Sequence, residues 1–531
     1  MVLGLNSRTV HGIVEELASG KPDDTFLFFD DESYTYAEIN AEASRVAAGL
    51  QKLGVEKGDA VAIMSSNRPE FLFAWFGLSK LGAVQVPINT AHKGELLHYL
   101  LQQSDTVALI IEAAFLERFA DLYSKLPKLK SVIVLDDAGE AANVPVSALA
   151  WSKMIRNDGA YAPVEVSGAD PAAMMFTSGT TGPSKAAVVP QNYQIVMGET
   201  IAKMGGYSPV DRLFNALPLF HGNAQTLSTM PALISGASMV LSRRFSASSF
   251  WGDVRKHQCT EFNYIGSILS ILLKAPASPD DGDNPIRVMI GAGASKSVAE
   301  AFEARFNVRL IESYGMSEIG VPLVGSAENR KFGSCGRRNP DYEIRLVDDD
   351  GVEVGPNTPG ELLVRPNRSN AMMLEYYGMP EKTVEAWRDL WFHTGDYLQR
   401  DEDGFYYFVD RKKDALRRRG ENISSFEVER IIGGHEAAFE CAAVAAQSEL
   451  GEDEVMVCIT LQPGASLEPM DLVAFCEERM AHFMAPRYIR ILDKLPKTPT
   501  ERVQKFILRQ QGVTADTFDR ERVAPRGGRR A

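Results

Sequence analysis

Small, hydroxylated and glycine residues crowd into one short stretch, Thr177-Ser178-Gly179-Thr180-Thr181-Gly182, followed by Pro183, Ser184 and Lys185. Glycines let backbone N–H groups approach an anion, hydroxyls donate to its oxygens, and a lysine adds a point charge. The stretch therefore reads as a phosphate cradle. Its setting favours that over an ordinary Gly/Ser surface loop, because an apolar run predicting a buried strand (Ala172 to Phe176) precedes it and another apolar run follows Lys185. A Walker A loop needs glycine before its lysine and Ser or Thr after it, whereas Lys185 stands between Ser184 and Ala186. Further groups of chemical interest lie in Tyr314-Gly-Met-Ser-Glu318, His393-Thr-Gly-Asp396, Asp410-Arg-Lys-Lys-Asp414 and Leu495-Pro-Lys-Thr-Pro499. Taken singly, Tyr314 reads as a core aromatic, and Glu318, Asp396 and Arg411 as surface charges. Gly291-Ala-Gly293 begins like a dinucleotide turn, but Lys296 occupies the place of the third glycine, so that fingerprint is absent.

The elements that must carry these groups alternate. A short strand at Ser33 to Tyr36, a helix with apolar spacing (Ile39, Ala43, Val46, Leu50) and a buried strand before Asn67 lead into a helix (Glu70 to Leu81), a strand (Ala83 to Ile88) and another helix and strand. The alternation resumes after Lys185, including a helix over Ala224 to Ser235, and again between Arg287 and Gly320. Strands interleaved with helices predict βαβ units and parallel sheets. From Gly336 to Val364 short alternating runs with turn signals predict a small β-rich subdomain, and Leu390 to Val409 a hairpin around Asp401 to Gly404. The polar, unpatterned run at Asp410 to Asp414 looks like a linker. The expected fold is thus α/β: a large domain over residues 1–410, made of βαβ sheet subdomains plus the β-rich one, and a small, mobile α+β domain over residues 411–531.

The chain has 531 residues, too many for one hydrophobic core, and its 45% hydrophobic and 24% charged composition is that of a soluble globular protein. A formal charge of −14 argues against a general nucleic-acid binder, since little would offset phosphate repulsion. The five cysteines include no CxxC pair, so neither a disulfide framework nor a zinc site is indicated, and a reducing cytoplasm is the expected compartment. No signal-peptide pattern and no apolar run of membrane-spanning length is present, so no membrane partner is expected.

In their order along the chain, the separated motifs resemble the adenylate-forming superfamily of acyl-CoA synthetases, luciferases and peptide-synthetase adenylation domains. The stretch Arg411 to Glu429, containing RRRGENISSFEVE, is similar to the carnitine and crotonobetaine CoA-ligase branch. The resemblance implies an enzyme that sets a carboxylate against the α-phosphorus of ATP and passes the acyl-adenylate to CoA, using Mg²⁺, on a small or polar acid, as a monomer or homodimer. It assigns Thr177 to Gly182 and Lys185 to the β- and γ-phosphates, Tyr314 to the adenine face, Ser317 to the α-phosphate, Glu318 to Mg²⁺, and Asp396 and Arg411 to the ribose hydroxyls. Gly293 and Ala294 would lie against the nucleotide and His221 beside the acyl group, with Phe262, Asn263, Tyr264, Ile265 and Gly266 as pocket wall. Lys413 matches the hinge, Gly420 to Ser424 the pantetheine channel, and Arg417, Arg418 and Arg419 are either contacts for CoA phosphates or a solvated charge run. Two departures stand out. Arg502 occupies the place of the usual catalytic lysine, with Lys505 three residues later as a substitute, and Ala186 replaces a usual glycine. An arginine is a planar fork and not a compact ammonium, which leaves two alternatives: a different oxyanion or acceptor, such as nitrite activation or amide formation, or a catalytically impaired nucleotide-binding homologue.

Overall fold

Fully buried, mostly apolar runs form the centre of the large sheets, because strands in parallel sheets are covered on both faces. Ala60–Met64, Val84–Pro87 and Ala108–Ile111 are buried at every position. The structure, a computed structural model, describes residues 4–136, 148–177, 184–294, 296–348, 350–411, 416–418, 421–423, 425–447, 453–496, 503 and 505–523. It divides into two compact units. The first comprises Met1–Thr90, His98–Phe176 and Ala186–Asp410; the second Ala91–Leu97, Thr177–Lys185 and Arg411–Ala531.

The first unit holds two large sheets. In one, parallel strands run in the order Arg309–Met316, Val288–Ala292, Glu261–Ile265, Arg212–Asn215, Ser238–Leu241 and Thr25–Phe29, flanked by antiparallel edge strands. The other sheet is built around Pro171–Thr177, Val84–Pro87, Ala60–Met64, Ala108–Ile111 and Ser131–Val134. An antiparallel sheet around Gly360–Pro366 and Trp391–Arg400 forms the β-rich subdomain. The second unit contains a four-stranded mixed sheet, Ala438–Gln447, Asp453–Leu461, Tyr488–Ile491 and Phe518–Asp519, over a core of Val444, Met456, Cys458, Leu495 and Leu508. The fold is α/β, as the alternation of elements predicts.

Local departures have local causes. Tyr36 opens a helix instead of ending a strand, because Thr35 caps Tyr36–Lys52 through a reciprocal pair with Glu38. The organised chain also begins earlier than Ser33. Val10, Ile13, Val14 and Leu17 make the buried stripe of a helix over Val10–Gly20. The helix expected from Ala224 starts as a π-helix, Ala224–Thr229, before becoming α-helical at Met230–Ser235. Pro231 has no N–H to give the helix ladder, and separately the Thr229 hydroxyl donates to the carbonyl of Ala224, five residues back, at 3.1 Å. One arginine is also reassigned. Arg418 is 1% exposed, lies 2.6 Å from the Glu454 carboxylate and donates to the carbonyls of Phe483 and Ala485, so it is a core ion pair and not a CoA contact. The side chains of Arg417 and Arg419 lie outside the described residues.

His11, on the first helix, has Nδ1 3.0 Å from the Ser79 hydroxyl. Burial, aided by Lys80, pushes the imidazole from 6.5 down to about 4. Between those values the unfolded chain takes up a proton that the folded chain refuses, so the folded state loses stability as pH falls from about 6.5 towards 4. The urea midpoint is expected to drop over that window, and His11→Gln is expected to flatten the drop.

Candidate active site

Open α/β sheets form crevices beyond the carboxyl ends of their parallel strands. At that edge of the first sheet, burial gives way: Ile265, Ala292, Met316 and Ser317 are partly exposed, although the strand residues leading to Ile265 and Ala292 are buried. Tyr314, near the end of Arg309–Met316, is 8% exposed and donates its phenol hydrogen to Asp396 Oδ2 at 2.6 Å. Asp396 sits on Trp391–Arg400, where the Thr394 hydroxyl accepts its N–H and donates to the Leu362 carbonyl at 2.7 Å. Two motifs separated in sequence thus meet at one hydrogen bond. Glu318, in the turn after Met316, is 4% exposed and accepts from the Tyr376 hydroxyl at 3.0 Å. Burial and the Glu318 charge push the Tyr376 phenol up.

Gly293 and Ala294 find a partner that the sequence reading did not single out, Glu312. The row Tyr264, Gly291, Glu312 runs across three paired strands. Tyr264 lies so close over Gly291 that a Cβ there would stand 2.2 Å from the Tyr264 carbonyl oxygen and 2.7 Å from its ring, and the hydroxyl donates to Glu312. The same carboxylate accepts the N–H groups of Gly293 at 3.1 Å and Ala294 at 3.3 Å, which holds the turn at Gly293, φ +85°. Burial and the Glu312 charge push the Tyr264 phenol well up. Glu312→Leu leaves three donors without this acceptor, and is expected to cost about 2–3 kcal/mol in urea unfolding. The available signal was the spacing: Glu312 precedes Tyr314 by two residues on one strand and so shares its face.

The strand Glu261–Ile265 also sorts the expected pocket wall. Phe262 packs between Phe214 and Phe250 and Tyr264 turns to Glu312, so both leave the wall, while Asn263 points towards the π-helix, where Ser228 donates to it. His221 sits in the turn before that π-helix, half-buried, its ring 4.9 Å from that of Phe220. Ser317 is half-buried in the turn before Ile319, whose N–H reaches the Met316 carbonyl.

Thr177 ends the strand Pro171–Thr177 and Lys185 begins the strand Lys185–Pro190. Ser178, Gly179, Thr180, Thr181, Gly182, Lys413, Gly420 and Arg502 lie outside the described residues, as does the side chain of Arg411, whose backbone ends the strand Tyr406–Arg411. Lys505 is described: its ammonium lies 2.6 Å from Glu429 Oε1 and donates to the Ser425 hydroxyl at 2.8 Å. Ser425 and Glu429 stand one turn apart on Ser425–Gly433, and Glu429 also accepts the Ala443 N–H. Among the described residues no group of three or more His, Cys, Asp or Glu side chains could hold a metal ion. Glu318 can offer a carboxylate oxygen, and a single carboxylate suits a Mg²⁺ carried mainly by phosphates and water.

Residues 14–377 match the AMP-binding enzyme family, and residues 427–502 match the AMP-binding enzyme C-terminal domain. A crotonobetaine/carnitine–CoA ligase from Salmonella paratyphi A is 33% identical over 504 residues, covering 92% of this chain and 97% of that protein. Among solved structures, an anthranilate CoA ligase bound to anthranoyl-AMP is 26% identical with a TM-score of 0.73, covering 96% of this chain and 98% of that one. An o-succinylbenzoate CoA synthetase from Bacillus subtilis is 25% identical with a TM-score of 0.82, covering 94% of this chain and 98% of that one.

Proposed function

The chain belongs to the AMP-binding enzyme family, and from that premise we propose that it is an AMP-forming acid–CoA ligase. It activates a small or polar carboxylic acid with ATP and transfers the acyl group to CoA. The observation that carries the reading is the meeting of Tyr314 with Asp396 at the strand ends, 82 residues apart in sequence, beside the turn Gly293–Ala294. A phenol face suits a purine, and a carboxylate accepts from a ribose diol. In this reading Tyr314 lies on adenine, Asp396 and Arg411 hold the ribose, and Gly293 and Ala294 line the nucleotide. Thr177 to Gly182 and Lys185 grip the β- and γ-phosphates, Ser317 touches the α-phosphate and His221 faces the acyl end. Mg²⁺ would be held by Glu318 and supply charge neutralisation on the phosphates.

The small domain, residues 411–531, would turn on a hinge near Lys413 between adenylation and thioester formation, bringing Gly420 to the pantetheine channel. That Lys505 is engaged by Glu429 and Ser425 supports giving Arg502 the catalytic charge at the α-phosphate, with Lys505 anchoring the helix Lys505–Gln511 that follows. The thiols are all free, in keeping with a reducing cytoplasm, and among the described residues no helix is long and apolar enough to cross a membrane. A monomer or homodimer would suffice.

Pyrophosphate release, assayed with short acids including carnitine and crotonobetaine, with nitrite plus an arylamine, and with neither, tests the reading. Acid-dependent release with a CoA thioester is the expected result. Release that requires nitrite, or silence throughout despite ATP binding, overturns it. Arg502→Ala is expected to slow adenylation by roughly 100- to 1000-fold. If Lys505→Ala slows it and Arg502→Ala does not, the assignment of the tail is wrong.

A further inference from the structure

A buried polar relay surfaces in the same crevice. Asn263 is fully buried on Glu261–Ile265, where an amide is costly unless bonded. Its Oδ1 accepts from the buried Ser228 hydroxyl at 2.5 Å, and its Nδ2 donates to Asn223 Oδ1. Asn223 opens the π-helix and is partly exposed with His221 and Gly222 before it and Leu227 one turn on, whereas Ala224, Gln225 and Thr226 are buried. With its Oδ1 committed to Asn263, Asn223 turns Nδ2 outward, and among the described residues that group has no hydrogen-bond partner.

Sheet order gives the direction and the reach. The strand of Tyr314 is followed by Val288–Ala292 and then by the strand of Asn263. At a strand spacing near 4.8 Å the relay lies about 10 Å along the crevice from the nucleotide end. On the reading above, an acid joined to the α-phosphate would run along the strand ends towards Asn223.

Resting on the reading above, we propose that Asn223 is a specificity-determining residue, and that the substrate is a short acid whose tail carries an oxygen acceptor, a hydroxyl or a carbonyl, to receive the Asn223 amide. The relay through Asn263 and Ser228 holds that amide in one orientation. A plain alkyl tail leaves the Nδ2 hydrogens desolvated and unpaired, which is the arrangement by which a site rejects an analogue lacking the polar group.

The test compares kcat/KM for acid-dependent AMP formation with pentanoate, 4-hydroxypentanoate and 4-oxopentanoate, three acids of nearly equal size. The wild type is expected to favour both oxygenated acids over pentanoate by at least tenfold, and Asn223→Leu to abolish or reverse that ratio. Asn223→Asp is isosteric and still accepts from Asn263, so it guards against a folding defect in the leucine variant. Its carboxylate can accept from a hydroxyl and offers nothing to a ketone, so it is expected to lose 4-oxopentanoate selectively. A wild-type preference for pentanoate, or ratios unchanged in both variants, overturns the proposal while leaving the ligase reading intact. Absence of AMP formation with every acid overturns that reading itself, and the proposal with it.

Discussion

Asp396→Ala raises the KM for ATP by about 100-fold or more and leaves the folded protein in place. A hydrogen bond to a charged group contributes about 1.5–3 kcal/mol, and the Asp396 carboxylate is proposed to accept from the ribose while already accepting from Tyr314 at 2.6 Å. Losing the ribose contact and releasing the Tyr314 ring from its one fixed direction together amount to about 3 kcal/mol, which is about two decades in affinity. Asp396→Asn keeps an acceptor for the phenol and is expected to lie between wild type and alanine. Steady-state kinetics with varied ATP, beside a urea titration of each variant, separate binding from stability. An unchanged KM in a folded Asp396→Ala protein would remove Asp396 from the nucleotide site.

The second large effect comes from backbone contact. At Gly266, just past the strand of Asn263, a Cβ would stand 2.1 Å from the Gly293 carbonyl oxygen and 2.6 Å from its carbon. Both are main-chain atoms, so no rotamer change relieves the overlap. Gly266→Ala must therefore displace the turn that Glu312 holds, and is expected to cost more than about 3 kcal/mol and to suppress pyrophosphate release. Gly252→Ala is the control. Nothing lies within 4 Å of a Cβ there, and the residue is inside the helix Phe250–His257, so alanine is expected to stabilise by about 0.5–1 kcal/mol. Equal behaviour of the two variants in urea would show that the Gly266 to Gly293 contact does not carry the turn.

Much of this was legible before any coordinates. The alternation of apolar runs gives the α/β class because parallel strands need helices on both faces, and the position of Tyr314 and Glu318 in one motif and Asp396 in another gives their candidacy. The π-helix was not legible, because a period of 3.6 continues through Ala224 to Ser235 in the side-chain pattern. Only the backbone consequence of Pro231 and the Thr229 hydroxyl interrupts it. Arg418 was unreadable for a related reason. Within RRRGENI it is one charge among several, and burial beside Glu454, carried on a strand distant in sequence, decides which arginine leaves the solvent.

The sequence by itself determined the chemistry on offer: a hydroxyl and glycine loop ending in Lys185, a tyrosine and two carboxylates in ordered motifs, and an arginine at 502 with a lysine at 505. Residue type and local spacing suffice for that, since they set which groups can donate, accept or carry charge. Tertiary structure alone decided the pairings. Tyr314 finds Asp396, Gly291 gives way to Tyr264 so that Glu312 can clasp the turn at Gly293, Asn263 reaches Asn223, and Lys505 is taken up by Glu429. The physical reason is register. Which residues stand opposite one another across a sheet depends on strand order and on the length of the intervening chain, and neither is written in the neighbours of any one residue.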